Sequence, residues 1–136
     1  MQIEEPVVAG IVGNVVRLAA PLQWDHLGRE GLLPHVGNLI RSVTVRSENP
    51  AGTRGHILLT DKSVIDIRYV EFESLGRTTT AVPVTPTNQL GRYAMHFHHL
   101  MGPRNLSNTG YQFVFQGNTI RDNRKLGMAI HNSHWG

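Results

Sequence analysis

Short apolar segments separated by turn residues recur along the chain, and this pattern predicts strands. Each segment is rich in Val, Ile, Phe or Tyr and is bounded by Gly, Pro, Asn, Asp or Ser, which is typical of strands. The segments span residues 43–46, 57–60, 64–72, 93–98, 111–120 and 128–131. No stretch shows the roughly 3.6-residue periodicity of an amphipathic helix convincingly, so the sequence predicts an all-β protein.

Two of these segments resemble each other and indicate a repeat. Residues 65–72 align with residues 113–120, and the apolar positions match as Ile65/Phe113, Ile67/Phe115 and Phe72/Ile120. The last pair breaks strict alternation, so we expect a bend inside each segment. Self-similarity of short strands without intervening helices favours a right-handed parallel β-helix, in which the strands of successive coils stack.

The repeat also suggests a division of the chain. We expect β-helix coils over residues 36–136 and, over residues 1–35, lead-in strands and turns from a preceding domain. An antiparallel sandwich or a cupin-like barrel is the alternative, because it also uses many short strands. The spacing of Gly91, His96 and His98 superficially fits the first cupin motif, but the glutamate that should follow is absent.

The richest chemistry lies in the segment that ends in three histidines. Strand alternation puts Met95 and Phe97 on the core side and leaves His96 and His98 side by side on the exposed face. Imidazoles fixed in this way bind metal ions, transfer protons or hold polar ligands. His99 is expected to alternate to the core side or to begin the following loop.

Stacked coils would add histidines from neighbouring turns. Strands in register lie about 4.8 Å apart, so His131 from the next coil and His56 from the previous coil would join the pair. The sequence therefore predicts a divalent metal site, for Zn, Cu, Ni or Mn, formed by His96, His98, His131 and His56. The alternative is a hydrogen-bonded histidine ladder that merely covers the sheet.

Residues next to the histidines are candidates for substrate binding. Arg92 can orient an acidic group of a sugar and Tyr93 can stack on its ring. We therefore predict His96, His98 and Arg92 as catalytic residues, and Arg92 and Tyr93 as substrate-binding residues. Structural roles, an ion pair for the arginine and packing for the tyrosine, are the competing interpretation.

The sequence does not predict a pair of catalytic carboxylates beside the histidines. The repeat places Asp66, Glu71 and Glu73 on a different sheet from the histidines. A pair of acids about 5 to 10 Å apart, as glycoside hydrolases use, is therefore not expected.

Composition and charge narrow the partners. The 136 residues contain no cysteine, so thiolate metal ligands are excluded, and no apolar run approaches the roughly 18 residues of a membrane span. The net charge is +3, and eleven of the thirteen basic residues are Arg. Guanidinium groups favour carboxylate or sulfate, so an acidic polysaccharide is a reasonable partner. Nucleic acid is not expected, because the chain has neither a basic run nor a recognition motif.

The string GRYAMHFH at residues 91–98 resembles the GRYPxHFH signature of a family of β-helix proteins. These are the relatives of the cell-migration-inducing hyaluronan-binding protein and the transmembrane hyaluronidase, which carry a glycine-rich domain ahead of the helix. Further blocks that read like that family are residues 36–39, 43–49, 55–56, 66–72, 75–77 and 130–134. Ala94 stands where the family pattern often has proline.

The resemblance implies an extracellular or cell-surface protein that faces carbohydrate, with hyaluronan-like glycans as the substrate class of the animal members. It also implies that this chain is an excerpt of a larger protein, with neighbouring segments before and after it. Open ends of such a solenoid are expected to produce homo-oligomers.

Three functions follow as hypotheses. The first is a metal-dependent enzyme that degrades polysaccharide, of the glycoside hydrolase or lyase type, in which the metal activates water or polarises the sugar. The second is a non-catalytic glycan-binding or structural β-helix module. The third is a cupin-like metal-dependent oxygenase.

Overall fold

The computed structural model describes residues 3–28, 30–79, 85–86, 88–102 and 110–136. It consists of two compact units, Met1–Asn38 and Leu39–Gly136. The described residues form ten β-strands and no helix, which confirms the predicted all-β class. No part of the chain in these ranges has a helix with the length and apolar character needed to cross a membrane.

The first unit is built around one antiparallel hairpin. Strands β1 (Val8–Val12) and β2 (Val15–Leu18) pair across a turn at Gly13, whose φ is 56°. A positive φ costs glycine little, because it lacks a Cβ atom. The Glu4 carboxylate accepts hydrogen bonds from the backbone amides of Gln23 and Trp24 at 2.7 and 3.0 Å.

The second unit contains the remaining eight strands. They are β3 (Val43–Arg46), β4 (Ile57–Thr60), β5 (Ile65–Arg68), β6 (Val70–Glu73), β7 (Met95–His98), β8 (Phe113–Gln116), β9 (Thr119–Arg121) and β10 (Met128–His131). Three sheets collect every third strand, in the orders β3-β6-β9, β4-β7-β10 and β5-β8. All pairings within these sheets are parallel. The antiparallel sandwich or cupin-like barrel considered above does not fit this topology.

The strand register confirms the internal repeat. The three apolar pairs expected from the sequence are hydrogen-bonded neighbours, namely Ile65↔Phe113, Ile67↔Phe115 and Phe72↔Ile120. The expected bends are also present, because the segments at 64–72 and 111–120 each form two strands in different sheets. The first bend is at Tyr69 and the second follows Gln116.

A left-handed backbone conformation marks the end of each strand from β4 to β10. The residues that directly follow these strands all have φ between 44° and 64°, and they are Asp61, Tyr69, Ser74, His99, Gly117, Asp122 and Asn132. One residue in this conformation redirects the chain sharply, so each strand leads into a different sheet. Six of the seven are not glycine, although this conformation costs other residues about 1–2 kcal/mol.

The core lies between the sheets and includes Met95 and Phe97, both fully buried, as the strand alternation predicts. Phe97 packs against Phe113 and Phe115 with ring centroids 4.8 and 5.6 Å away. The Asn118 side chain links the turn before β9 to the bend between β5 and β6, because it accepts from the amide of Val70 and donates to the carbonyl of Ile67.

Candidate metal centre

Three histidines from two neighbouring strands meet on the sheet formed by β4, β7 and β10. His96 and His98 lie on β7, and His131 is the last residue of β10. The parallel register places His131 directly beside His98, as stacking of the coils predicts. We call His96, His98 and His131 the three-histidine cluster.

The geometry of the three-histidine cluster allows one ion to be shared. One ring nitrogen from each histidine lies within 4.8 Å of the others. The His98 ring centroid is 4.9 Å from that of His96 and 4.8 Å from that of His131. The cluster can therefore hold a metal ion, and three imidazoles are a donor set typical of zinc and copper.

His96 is buried, which corrects the expectation that it is exposed. Only 5% of its surface is accessible, because the ring packs against Tyr93 at a centroid distance of 5.2 Å. Its Nδ1 atom lies 2.8 Å from the carbonyl oxygen of Gly91 and donates to it. The proton of the neutral ring is then on Nδ1, so Nε2 carries a free lone pair.

The Nε2 atom of His96 is buried and has no hydrogen-bond partner among the described residues. A buried polar atom without a partner is unfavourable in a folded protein. An imidazole whose other nitrogen donates to a backbone carbonyl is the usual arrangement of a metal ligand. The chemistry of this atom thus fits a metal ion.

His98 is held in its neutral form by its surroundings. Desolvation lowers its pKa, and repulsion from the neighbouring imidazoles of His96, His99 and His131 lowers it further. A neutral imidazole is the form that binds metal. The surroundings of His98 therefore favour the form that binds metal.

His99 adds a fourth ring beside the cluster. It is exposed and follows β7, so it begins the loop, one of the two positions expected from the sequence. The centroid of its ring lies 4.0 Å from that of His98, edge to face, and its Nε2 is 3.3 Å from the side-chain nitrogen Nδ2 of Asn132. The left-handed backbone at His99 turns its side chain out of the strict alternation of β7.

His56, the fourth predicted ligand, lies outside the three-histidine cluster. It precedes β4, where the neighbours of His96 and His98 are Leu58 and Thr60. Two residues along a strand span about 6.6 Å, so the parallel register offsets His56 from His96. Its Nδ1 instead lies 3.0 Å from the guanidinium of Arg77.

Arg92 and Tyr93, the predicted substrate-binding residues, lie in the chain just before β7. Arg92 donates through Nε to the side-chain oxygen of Gln89 at 3.3 Å and makes no ion pair with a described carboxylate. The ring of Tyr93 lies against His96 on one side, and Lys125 Nζ is 6.0 Å from its centroid. The structure therefore brings the Tyr93 ring to the cluster, whereas the shown side-chain partner of Arg92 is Gln89.

The nearby carboxylates are on other sheets, as predicted. Asp66 lies on β5, whereas Glu71 and Glu73 lie on β6. Hydrogen bonding to Arg121 lowers the pKa of Glu71, so this carboxylate is occupied in an ion pair. No catalytic acid pair forms at the cluster from the described residues.

Two contributors to the site were not recognised in the sequence. Gly91 orients His96 through its carbonyl, and Arg77 orients His56. A backbone carbonyl leaves no signal in residue type. Arg77 is 21 residues from its partner, so only the fold brings the two together.

Comparison of the chain with protein-family models, with curated proteins and with solved structures found no match.

Proposed function

We propose that this protein is a carbohydrate-active domain with a right-handed parallel β-helix fold and a divalent metal centre at the three-histidine cluster. The observation that carries the proposal is the cluster itself, with the unpartnered Nε2 of buried His96 beside two more imidazoles. The parallel sheets, each formed by every third strand, support the fold. The resemblance of residues 91–98 to the hyaluronan-binding β-helix family supports the carbohydrate ligand. In line with that family, we place the protein outside the cell or at its surface.

The histidines would serve as ligands while other residues handle the sugar. A bound divalent ion would supply a Lewis acid able to activate water or polarise a sugar oxygen. Zinc–nitrogen bonds of about 2.0–2.1 Å require ligand nitrogens roughly 3.4 Å apart in a tetrahedral site. The more exposed rings of His98 and His131 would rotate inward to meet this spacing, whereas His96 is already fixed by Gly91. Arg92 would neutralise an acidic group of the polysaccharide and Tyr93 would border the sugar.

Metal binding by the purified 136-residue chain tests the proposal. Elemental analysis should find about one Zn, Cu, Ni or Mn per chain, and calorimetry of chelator-treated protein with Zn²⁺ or Cu²⁺ should give one site. The double substitution His96→Ala/His98→Ala should abolish binding, whereas His134→Ala, at an exposed position, should leave it unchanged. Binding that survives the double substitution would contradict the proposal.

A non-catalytic glycan-binding module is the second candidate. It is favoured by the location of Asp66, Glu71 and Glu73 on other sheets, which leaves the cluster without the paired acids of a glycoside hydrolase. A screen with neutral and uronic-acid polysaccharides separates the two candidates. New reducing ends or unsaturated products that depend on the metal indicate an enzyme, and glycan retention by metal-free protein without products indicates binding alone.

We also propose that the protein self-associates through its outermost strands. The described part of β3 pairs only with β6, and that of β10 only with β7, so each has a free edge. Val43 and Ile130 on these strands are exposed. Free edges are templates for pairing with another chain. Light scattering should show a mass that rises with concentration, and a constant monomer mass would contradict this.

A further inference from the structure

Two arginines, which the backbone brings together, carry positive charge that the described carboxylates do not balance. Arg77 and Arg92 are partly buried, and the backbone amide of Arg77 donates to the carbonyl of Arg92 at 2.8 Å. The ion pairs found in the described ranges use other cations, namely His26, Arg68 and Arg121. A guanidinium remains charged at any pH at which a protein is folded. The two charges therefore lack a counter-ion within the described chain.

The guanidinium of Arg77 also has an unused donor. Its Nε–H is buried and has no hydrogen-bond partner among the described residues. Its Nη2 atom lies 3.0 Å from His56 Nδ1. A buried charged donor without a partner costs the folded state more free energy than a neutral one does. A bound acceptor at this atom would therefore stabilise the protein.

His56 is the third member of this group and does not supply the missing negative charge. A guanidinium can only donate, so His56 Nδ1 accepts from Arg77 and the proton of the neutral ring is on Nε2. Burial lowers the pKa of His56, and the charges of Arg77 and Arg92 lower it further. His56 is thus a neutral ring that offers one N–H donor beside two cations.

Arg92 likewise has donors to spare. Its one side-chain hydrogen bond, to Gln89, is long at 3.3 Å. A guanidinium has five N–H donors arranged in a planar fork that matches the oxygens of a carboxylate or sulfate. Arg77, Arg92 and His56 therefore carry N–H donors, two of the groups being charged, that the described residues leave unused.

We propose that Arg77, Arg92 and His56 form a binding site for an oxyanion of the carboxylate or sulfate class, in which the Nε–H of Arg77 makes the central hydrogen bond. His56 directly precedes β4, which pairs with β7, the strand that carries His96 and His98. This proposal rests on the proposed function in one respect, namely that the oxyanion belongs to a glycan. Anion binding itself requires no metal.

The test uses the 136-residue chain freed of metal with a chelator, so loss of the metal centre does not affect the result. Nitrogen-15 spectra of the arginine Nε–H groups are recorded during titration with sodium glucuronate, sodium sulfate or glucose at constant ionic strength. The Arg77 signal is assigned by its disappearance in Arg77→Lys. We expect it to shift with glucuronate or sulfate and to stay in place with glucose.

Variants measure the contribution of Arg77. Removing a hydrogen bond to a charged group weakens binding by roughly tenfold or more, so we expect that increase in Kd for Arg77→Met. Arg68→Met is the matched control, because Arg68 lies on β5 and pairs with Asp66, and its Kd should stay within about twofold of the unsubstituted chain. Arg77→Lys keeps the charge without the planar fork and should show intermediate affinity. The thermal midpoint of each variant shows whether it is folded.

Several results would overturn the site. One is an Arg77 Nε–H signal that does not shift while other arginine signals do. Another is an unchanged Kd in folded Arg77→Met or Arg77→Lys. The third is an equal loss of affinity in Arg77→Met and Arg68→Met. If Arg77→Met does not fold, Arg77→Lys and the Nε–H shift decide. A preference between sulfate and glucuronate identifies the group that the site takes, and either one supports it.

Discussion

The Nδ1 atom of His96 lies 2.8 Å from the carbonyl oxygen of Gly91, so the turn before β7 sets the orientation of the most buried imidazole of the three-histidine cluster. Gly91 adopts φ +75°, a conformation that favours glycine. A Cβ atom here would lie 3.7 Å from His96 Cε1, which is ordinary contact. Substitution of Gly91 is therefore restricted by its backbone conformation rather than by steric contact.

We predict that Gly91→Ala weakens metal binding. The backbone strain should cost about 1–2 kcal/mol of unfolding free energy. Displacement of the carbonyl that orients His96 should lower metal affinity by about tenfold. Gly110→Ala is the matched control, because Gly110 has the same φ and an added Cβ meets nothing within 4 Å. Urea denaturation and calorimetry should show similar destabilisation in both variants and an affinity loss in Gly91→Ala alone; equal affinities would refute the orienting role of Gly91.

The lowered pKa values of His98 and His56 predict a pH dependence of stability in metal-free protein. Their ordinary value is 6.5, so below it the unfolded chain binds protons that the folded chain does not. Stability is then greatest above this value and is lost as pH falls through it. The urea concentration at the unfolding midpoint should be lower at about pH 5.5 than at about pH 7.5. His98→Gln should make this difference smaller.

Carboxylates do not account for such a change in this range. The pKa of Glu71 is lowered from 4.5, so its contribution is lost only at more acidic pH. A urea midpoint that is constant or rises toward pH 5.5 would show that the two histidines are not desolvated as described.

Asn118 is expected to contribute to the stacking of the coils. Its side chain accepts from the Val70 amide at 2.8 Å and donates to the Ile67 carbonyl at 2.9 Å. Asn118→Ala leaves both backbone groups without these partners and should cost about 2 kcal/mol. Gln116→Ala, at an exposed position of β8 where the side chain makes no hydrogen bond with the described residues, should cost much less. Similar urea midpoints for the two variants would argue against the bridging role of Asn118.

Phe97 is expected to be the most sensitive position of the core near the site. It is fully buried against Phe113 and Phe115, so Phe97→Ala should destabilise the protein by about 4 kcal/mol. Ile130→Ala on the neighbouring strand is the control, because 52% of Ile130 is exposed. Chemical denaturation compares them, and a small effect at Phe97 would contradict the described core.

Much of the fold can be predicted from the sequence because strand pairing follows apolar pattern. The match of Ile65 with Phe113 and of Phe72 with Ile120 gives the pairing of these parallel strands directly, since matched apolar side chains on paired strands face the same side of the sheet. The same alternation assigns Met95 and Phe97 to the core. Placing the segments 95–98 and 128–131 on one sheet likewise makes His98 and His131 neighbours, although this pair is 33 residues apart and the Ile65/Phe113 pair is 48 residues apart.

The sequence by itself thus determined the strands, their repeat and the pairing of His131 with His98, because these depend on local alternation and on matching apolar positions in strands that pair. Only the tertiary structure decided that His96 is buried, that His56 turns to Arg77 and that Tyr69, Ser74 and His99 adopt left-handed corners. Strand alternation does not show that the Tyr93 ring packs against His96 or that Arg77, 21 residues away, contacts His56, and packing imposes the corners on residue types that do not favour them locally.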